Sequence, residues 1–125
     1  MKILLATSMR ERFAELSAYL KLNYPVELYW AESGEEALLL VQGHQIETVI
    51  ADETLSDMTG LVFLEKLIRM NPWVNCAVVS ALSSENFHEA TEGLGILAQL
   101  SPDFNPCQVN GLMDHLARIQ QLHQK

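Results

Sequence analysis

Basic residues are scarce in this chain of 125 residues. Eight lysines and arginines stand against sixteen aspartates and glutamates, which gives a formal net charge of -8 at pH 7. The basic residues form no cluster, and phosphate backbones and anionic lipids repel an acidic chain. We therefore expect neither a nucleic-acid partner nor membrane binding for this domain.

Long apolar runs are also missing. No stretch approaches the roughly 20 apolar residues that a membrane-spanning helix requires. The short apolar run after Lys2 is followed by charged residues and lacks the apolar core and cleavage site of a secretory signal. These absences predict a cytoplasmic protein.

Cysteine and tryptophan each occur only twice. Cys76 and Cys107 lie far apart, and the four histidines are scattered, which is typical of buried thiols and not of a metal site. We therefore predict no resident metal. Trp30 and Trp73 lie near the ends of predicted elements and are expected to pack in the core or at its edge.

Short apolar segments alternate with amphipathic segments along the whole chain. A chain of this length buries one core and not two, so we predict a single domain over residues 1–125. Continuous apolar strands are buried on both faces, and their alternation with helices indicates βα units. The predicted fold is α/β, with a doubly wound, five-stranded parallel sheet. The predicted strands are Ile3–Ala6, Val26–Trp30, Thr48–Ala51, Cys76–Val79 and Ile96–Leu100.

Capping residues mark two of the predicted helix starts. Ser33 followed by Glu36 is a capping box. Asn105 followed by Pro106 supplies an N-cap and a proline in the first turn of the last helix. Five helices are therefore predicted, one after each strand.

Candidate functional residues follow the predicted strands, because ligands of an open parallel sheet bind in the crevice at the carboxyl ends of its strands. The loop after the third strand runs from Asp52 to Gly60, with Asp57 expected to stabilise its turn by local hydrogen bonds. The residues placed at the strand ends are Thr7, Ser8, Asp52, Ser80, Ala81, Ser101 and Pro102.

The stretch TVIADETLSDMTGLVFLEKL resembles the receiver domain of two-component response regulators. In that family a strand-end aspartate is the phosphoacceptor, which Asp52 matches, while Ser56 takes the place of the usual proline. The resemblance extends through AESGEEALLL, VVSA and LSP and through the spacing of Ser8, Asp52, Ser80 and Ser101. It implies the (βα)5 flavodoxin-like receiver fold and a signalling module that is not an enzyme.

The first strand ends differently from that of the family. The resemblance implies an acidic pair that holds Mg²⁺ together with the phosphoacceptor, but Thr7 and Ser8 stand there. Mg²⁺ binds proteins through carboxylates, so Asp52 alone should hold the ion weakly. Without the metal, an incoming phosphoryl group meets an uncompensated carboxylate.

The fifth strand also departs from the family pattern. The family's lysine precedes a proline, and Ser101 precedes Pro102 here. A shift at the preceding glycine turn would place Leu100 at the lysine position, and neither alignment restores a charge. The aromatic switch residue of the family falls on Ala98. We therefore predict that this chain has lost both the phosphorylation chemistry of a conventional receiver and the conformational switch that transmits it.

The residues expected near Asp52 can be explained by packing or solvation as well as by a functional role. Ser80 and Ala81 match the residue that hydrogen-bonds the phosphoryl group in the family and the small residue after it, and strand-end packing explains them equally well. Arg10 is expected to be a solvated residue of the first helical turn, with pairing to Asp52 as the alternative. Glu53 is expected to be a solvated loop carboxylate on the opposite side of the strand.

Three functional hypotheses follow from these residues. The preferred one is an atypical receiver, or pseudo-receiver, that binds a protein partner through its fourth helix, fifth strand and fifth helix without phosphorylation or cofactor, with a homodimer as one option. The second is a receiver that a histidine kinase phosphorylates on Asp52 with Mg²⁺. The third is a flavodoxin-like protein whose loop ATSMRE binds the phosphate of FMN at a helix start, although this loop lacks the glycines that such loops need.

Overall fold

The computed structural model describes the backbone of residues 1–123 and the side chains of residues 1–120. Within this part of the chain, the strands form one parallel sheet with the order β2-β1-β3-β4-β5. The predicted doubly wound five-stranded sheet is therefore confirmed. The strands are β1 Lys2–Ala6, β2 Glu27–Ala31, β3 Thr48–Ala51, β4 Asn75–Val79 and β5 Ala98–Leu100.

A helix follows each strand. Both predicted N-caps are confirmed, because the Ser33 hydroxyl accepts from the Glu36 N–H at 3.0 Å and the Asn105 side-chain oxygen accepts from the Cys107 N–H at 2.9 Å. The helices are a short 3-10 helix Arg10–Phe13, α1 Ala14–Asn23, α2 Gly34–His44, α3 Gly60–Met70, α4 Ser84–Ala90 and α5 Pro106–His123. Among the described helices, none is both long and apolar enough to cross a membrane.

The core lies in two layers, one on each face of the sheet. Side chains alternate between the faces along each strand, so Leu4 packs toward α2 and α3 while Ile3 and Leu5 pack toward α1 and α5. Every β3 residue is buried, as expected for a strand covered on both sides. This burial fixes the carboxyl ends of β1 and β3 rigidly beside each other.

Three sequence predictions are wrong in detail, and the first is that both thiols are buried, because Cys107 is exposed. The fifth strand is shorter than Ile96–Leu100, because Gly93 and Gly95 adopt positive φ angles of 82° and 70° and residues paired in register with β4 begin at Ala98. Trp73 is 75% exposed. It lies in the turn between α3 and β4, where the neighbouring Val74 fills the core instead.

Candidate functional site

The two strand-end residues Thr7 and Asp52 lie side by side in the middle of the sheet. They follow Ala6 and Ala51, which are paired in register between β1 and β3. The Asp52 N–H donates to the Ala6 carbonyl at 2.8 Å, so the ladder extends one residue beyond the strands. Both side chains are buried, with exposures of 0% and 2%.

The Asp52 carboxylate accepts four hydrogen bonds. Its Oδ2 accepts from the Thr7 hydroxyl at 2.8 Å and from Arg12 Nε at 2.7 Å. Its Oδ1 accepts from Arg12 Nη2 at 2.9 Å and from the Glu53 N–H at 2.8 Å. An ionised carboxylate has about four lone-pair positions. All of them are therefore used within the protein.

Arg12 is the residue that pairs with Asp52. Its guanidinium binds both carboxylate oxygens in the fork geometry that only arginine provides. Arg12 lies in the short 3-10 helix, where the adjacent Phe13 is buried in the core and holds the turn against the sheet.

The alternative expectation that Arg10 pairs with Asp52 is wrong. The Arg10 guanidinium lies instead over the ring of Trp30, 4.5 Å from its centroid, in a cation-π contact. The tight turn after Met9 directs Arg12, two residues after Arg10, back over the strand ends. The sequence showed two arginines here and no signal to choose between them, apart from the apolar Phe13 beside Arg12.

The contacts of Asp52 also set its protonation. Burial alone would raise the pKa of Asp52, but the hydrogen bonds from Arg12, from Thr7 and from the Glu53 N–H outweigh it and hold the pKa below its usual value. The hydrogen bond with Asp52 in turn raises the pKa of Arg12. The pair is therefore ionised at neutral pH.

Glu53 is not the free loop carboxylate that strand alternation predicted. Its Oε2 accepts from the Ala81 N–H at 3.1 Å, and its Oε1 lies 3.5 Å from Arg12 Nη2. The alternation rule fails here because β3 ends at Ala51. Glu53 therefore belongs to the same cluster as Asp52 and Arg12.

Ser8 and Ser80 lie at the expected strand ends, but their described hydrogen bonds do not involve Asp52. The exposed Ser8 hydroxyl donates to the Thr54 carbonyl at 3.3 Å. The Ser80 hydroxyl accepts from the Leu82 N–H at 3.1 Å. Ser80 therefore stabilises its own loop in this structure.

Ser101 and Pro102 directly follow β5 and lie near Arg12. The Ser101 hydroxyl accepts from the Asp103 N–H at 3.2 Å, and its own N–H donates to the Gln108 side chain at 2.8 Å. Together with Arg12, both residues line a small cavity of about 30 Å³. A cavity of this size has room for ordered water.

The loop after β3 has two further fixed points. The Asp57 carboxylate accepts from the N–H groups of Gly34 and Glu35 at 2.7 and 3.2 Å, and the Gly34 hydrogen bond holds the pKa of Asp57 below its usual value. It therefore caps α2, which the sequence prediction of a purely local turn missed. At Gly60, a side chain would collide with the Asp52 carbonyl, so this close approach requires glycine.

The donor set at the strand ends does not fit Mg²⁺. The ion prefers near-octahedral oxygen coordination through carboxylates. Here the Thr7 hydroxyl donates a hydrogen bond to Asp52, and the Arg12 guanidinium donates hydrogen bonds to both Asp52 oxygens. Among the described residues there is no group of three or more His, Cys, Asp or Glu side chains that could hold a metal. A positive guanidinium stands where a cation would have to bind.

Comparisons with known proteins agree with this architecture. The model of the response regulator receiver domain matches residues 5–114, and the chain belongs to that family. No curated protein matches the chain.

Solved receiver structures share the fold. A signal receiver domain of an HD domain-containing protein from Pseudomonas fluorescens is 19% identical, with a TM-score of 0.84 over 98% of this chain and 90% of that one. A CheY-like receiver from Methanospirillum hungatei is 20% identical, with a TM-score of 0.80 over 98% and 97%. The N-terminal domain of an uncharacterized Wolinella succinogenes protein is 22% identical, with a TM-score of 0.82 over 100% and 99%.

Membership of this family defines the general role. The chain is a receiver domain of two-component signalling, and receiver domains are generally signalling modules that interact with proteins such as kinases or effector domains. The flavin alternative finds no support in these comparisons. The Thr7 hydroxyl, which that hypothesis needed for a flavin phosphate, donates to Asp52.

Proposed function

We propose that this receiver is an atypical, pseudo-receiver domain that acts in signal transduction by binding a protein partner without phosphorylation. One observation carries the proposal: the Arg12 fork on a buried Asp52 whose four acceptor positions are all used. The domain would then bind its partner in the conformation it already has, with no cofactor.

The chemistry of phosphoryl transfer explains why this pair matters. The attacking carboxylate oxygen must offer a lone pair in line with the leaving group, and a cation must neutralise the phosphoryl oxygens. In this site Arg12 neutralises the nucleophile itself, so Asp52 must first lose two charge-assisted hydrogen bonds to react. The same guanidinium excludes the metal that would otherwise align the reactants.

The partner is proposed to bind the surface formed by α4, β5 and α5. Three features support this location. No residue of α4 is buried, and β5 is an edge strand of the sheet. Leu82, just before α4, is 44% exposed. A homodimer through the same surface, and a cytoplasmic location, belong to this proposal.

A second candidate function is favoured by the state of Asp52. The carboxylate is ionised at the end of β3, as a phosphoacceptor must be. In this alternative a histidine kinase phosphorylates Asp52 with Mg²⁺, and Arg12 swings away to admit the phosphoryl group. The two candidates predict opposite responses to a phosphoryl mimic.

The deciding experiment is an amide NMR titration with Mg²⁺ and then with Mg²⁺ and beryllofluoride. We expect the wild-type resonances near Asp52 and in α5 to stay in place. The Arg12→Ala variant is the matched comparison, since it frees two acceptor positions on Asp52. Wild-type shifts around Thr7, Asp52 and Ser80 that spread to α5 would contradict the proposal and establish the phosphoacceptor function.

A further inference from the structure

The loop between β4 and α4 is held by side chains from three directions. Glu53 accepts from the Ala81 N–H at 3.1 Å, and Ser80 accepts from the Leu82 N–H at 3.1 Å. Gln99 of β5 donates to the carbonyls of Ser80 and Leu82 at 3.2 and 2.8 Å. Two amides and two carbonyls of a short surface loop are therefore bound to side chains and not left to water.

Glu53 differs from the other two groups because it is charged. Its carboxylate lies between the Ala81 N–H and the Arg12 guanidinium, at 3.1 Å from the first and 3.5 Å from Arg12 Nη2. A charge-assisted hydrogen bond is about twice as strong as a neutral one. Any external anion that approached the Ala81 N–H would have to displace this carboxylate.

We infer that Glu53 is a built-in anion that fixes the β4–α4 loop. Its carboxylate is attached one residue after Asp52, so its effective concentration at the Ala81 N–H far exceeds that of a free anion. The loop leads directly into α4, which has no fully buried residue and packs on the core through the partly buried Phe87, so the loop helps to set the position of that helix. The inference rests on the proposed function, because it explains how one conformation persists without phosphorylation.

This role makes Glu53 a positioning residue that links three parts of the fold. Arg12 joins it to the turn after β1, and Ala81 joins it to the end of β4. Removing the carboxylate should leave the strands intact, because Glu53 is 38% exposed at its side chain and lies outside the core. The loss should instead appear locally, in residues 81–90.

The test is amide hydrogen exchange of the whole chain by NMR, without Mg²⁺ or any phosphoryl mimic. We expect Glu53→Ala to accelerate exchange at Ala81 about tenfold and to accelerate the amides of α4 by a smaller factor, while β1 and β3 keep their rates. Glu53→Gln keeps a neutral acceptor of the same size and should give intermediate rates. Glu15→Ala removes another exposed glutamate, in α1, and should change none of these amides.

Acetate then tests whether the position is one for an anion. In Glu53→Ala, added acetate should slow Ala81 exchange again, and in wild type it should have no effect. Equal Ala81 rates in wild type and Glu53→Ala, or no protection by acetate in the variant, would overturn the inference. A response of wild type to beryllofluoride would instead contradict the proposed function, so the two failures are distinguishable.

Discussion

The Arg12→Ala substitution tests the central contact most directly. It removes two hydrogen bonds, of 2.7 and 2.9 Å, from the ionised Asp52 carboxylate. Removing one partner of a buried ion pair costs about 3–5 kcal/mol, but the Arg12 side chain is 40% exposed and solvent screens part of the attraction. Two donors to Asp52, from Thr7 and Glu53, remain. We therefore expect a loss of about 2 kcal/mol in the free energy of unfolding.

Thermal and urea unfolding at pH 7 measure this loss. Unfolding entropy of about 2.1 cal/mol/K per residue converts 2 kcal/mol into a decrease in Tm of roughly 8 °C for a chain of this size. Arg12→Lys keeps the charge without the fork and should lose about half as much. Arg10→Ala removes the neighbouring arginine, whose contact with Trp30 is worth about 0.5–1 kcal/mol at an exposed site.

A double-mutant cycle isolates the pair from other effects of the change. In the Asp52→Asn background the guanidinium loses its hydrogen-bonded charge partner and keeps only Glu53, 3.5 Å from Nη2, so Arg12→Ala should cost about 1 kcal/mol less than in wild type. If Arg12→Ala costs no more than Arg10→Ala, or if the cycle shows no coupling, the pair does not hold the site together and the reasoning fails.

Three further predictions concern pH, thiol reactivity and metal binding. Because the pKa of Asp52 is lowered in the folded state, the ionised carboxylate contributes fully to folding stability above the unfolded pKa of about 3.9, and this contribution is lost as pH falls through the folded pKa. The difference in unfolding free energy between wild type and Asp52→Asn should therefore be constant from pH 7 to about pH 5 and shrink in acid. A difference that grows on acidification would contradict this sign. Burial raises the pKa of the Cys76 thiol to about 12, and Cys107 is exposed, so a thiol reagent should add one label to the native chain, at Cys107, and two to the unfolded one; a native double label would contradict the burial. The double variant Thr7→Asp, Ser8→Asp crowds carboxylates around Asp52, so it should melt below wild type without Mg²⁺ and be stabilised by the ion; equal melting without Mg²⁺ would contradict this strain.

The fold was predictable because the sheet is buried on both faces. Strands such as Thr48–Ala51 then read as continuous apolar runs, and the residue after each run lies at the carboxyl edge. This logic correctly placed Thr7 and Asp52 beside each other. The local capping signals at Ser33 and Asn105 were equally reliable, since each depends only on residues within one helical turn.

The contacts within the site could not be predicted in the same way. Strand alternation does not predict side-chain direction once a strand has ended, and Glu53 is the second residue after the end of β3 at Ala51. The choice between Arg10 and Arg12 depended on a tight 3-10 turn whose geometry is set by burial of Phe13. Asp57 reaches α2, which lies far from it in sequence, and such non-local caps leave no periodic signal.

The ion pair at the strand ends has a consequence for how such a domain can convey information. Arg12 is part of the same chain, so under the proposed function its occupancy of the Asp52 carboxylate would not change with the supply of ATP, metal or phosphodonor. A conventional receiver reports how much of it has been modified. In the proposed role, this receiver can report only how many copies of it are present and where they are, so control would pass to its synthesis, its degradation and the availability of its partner.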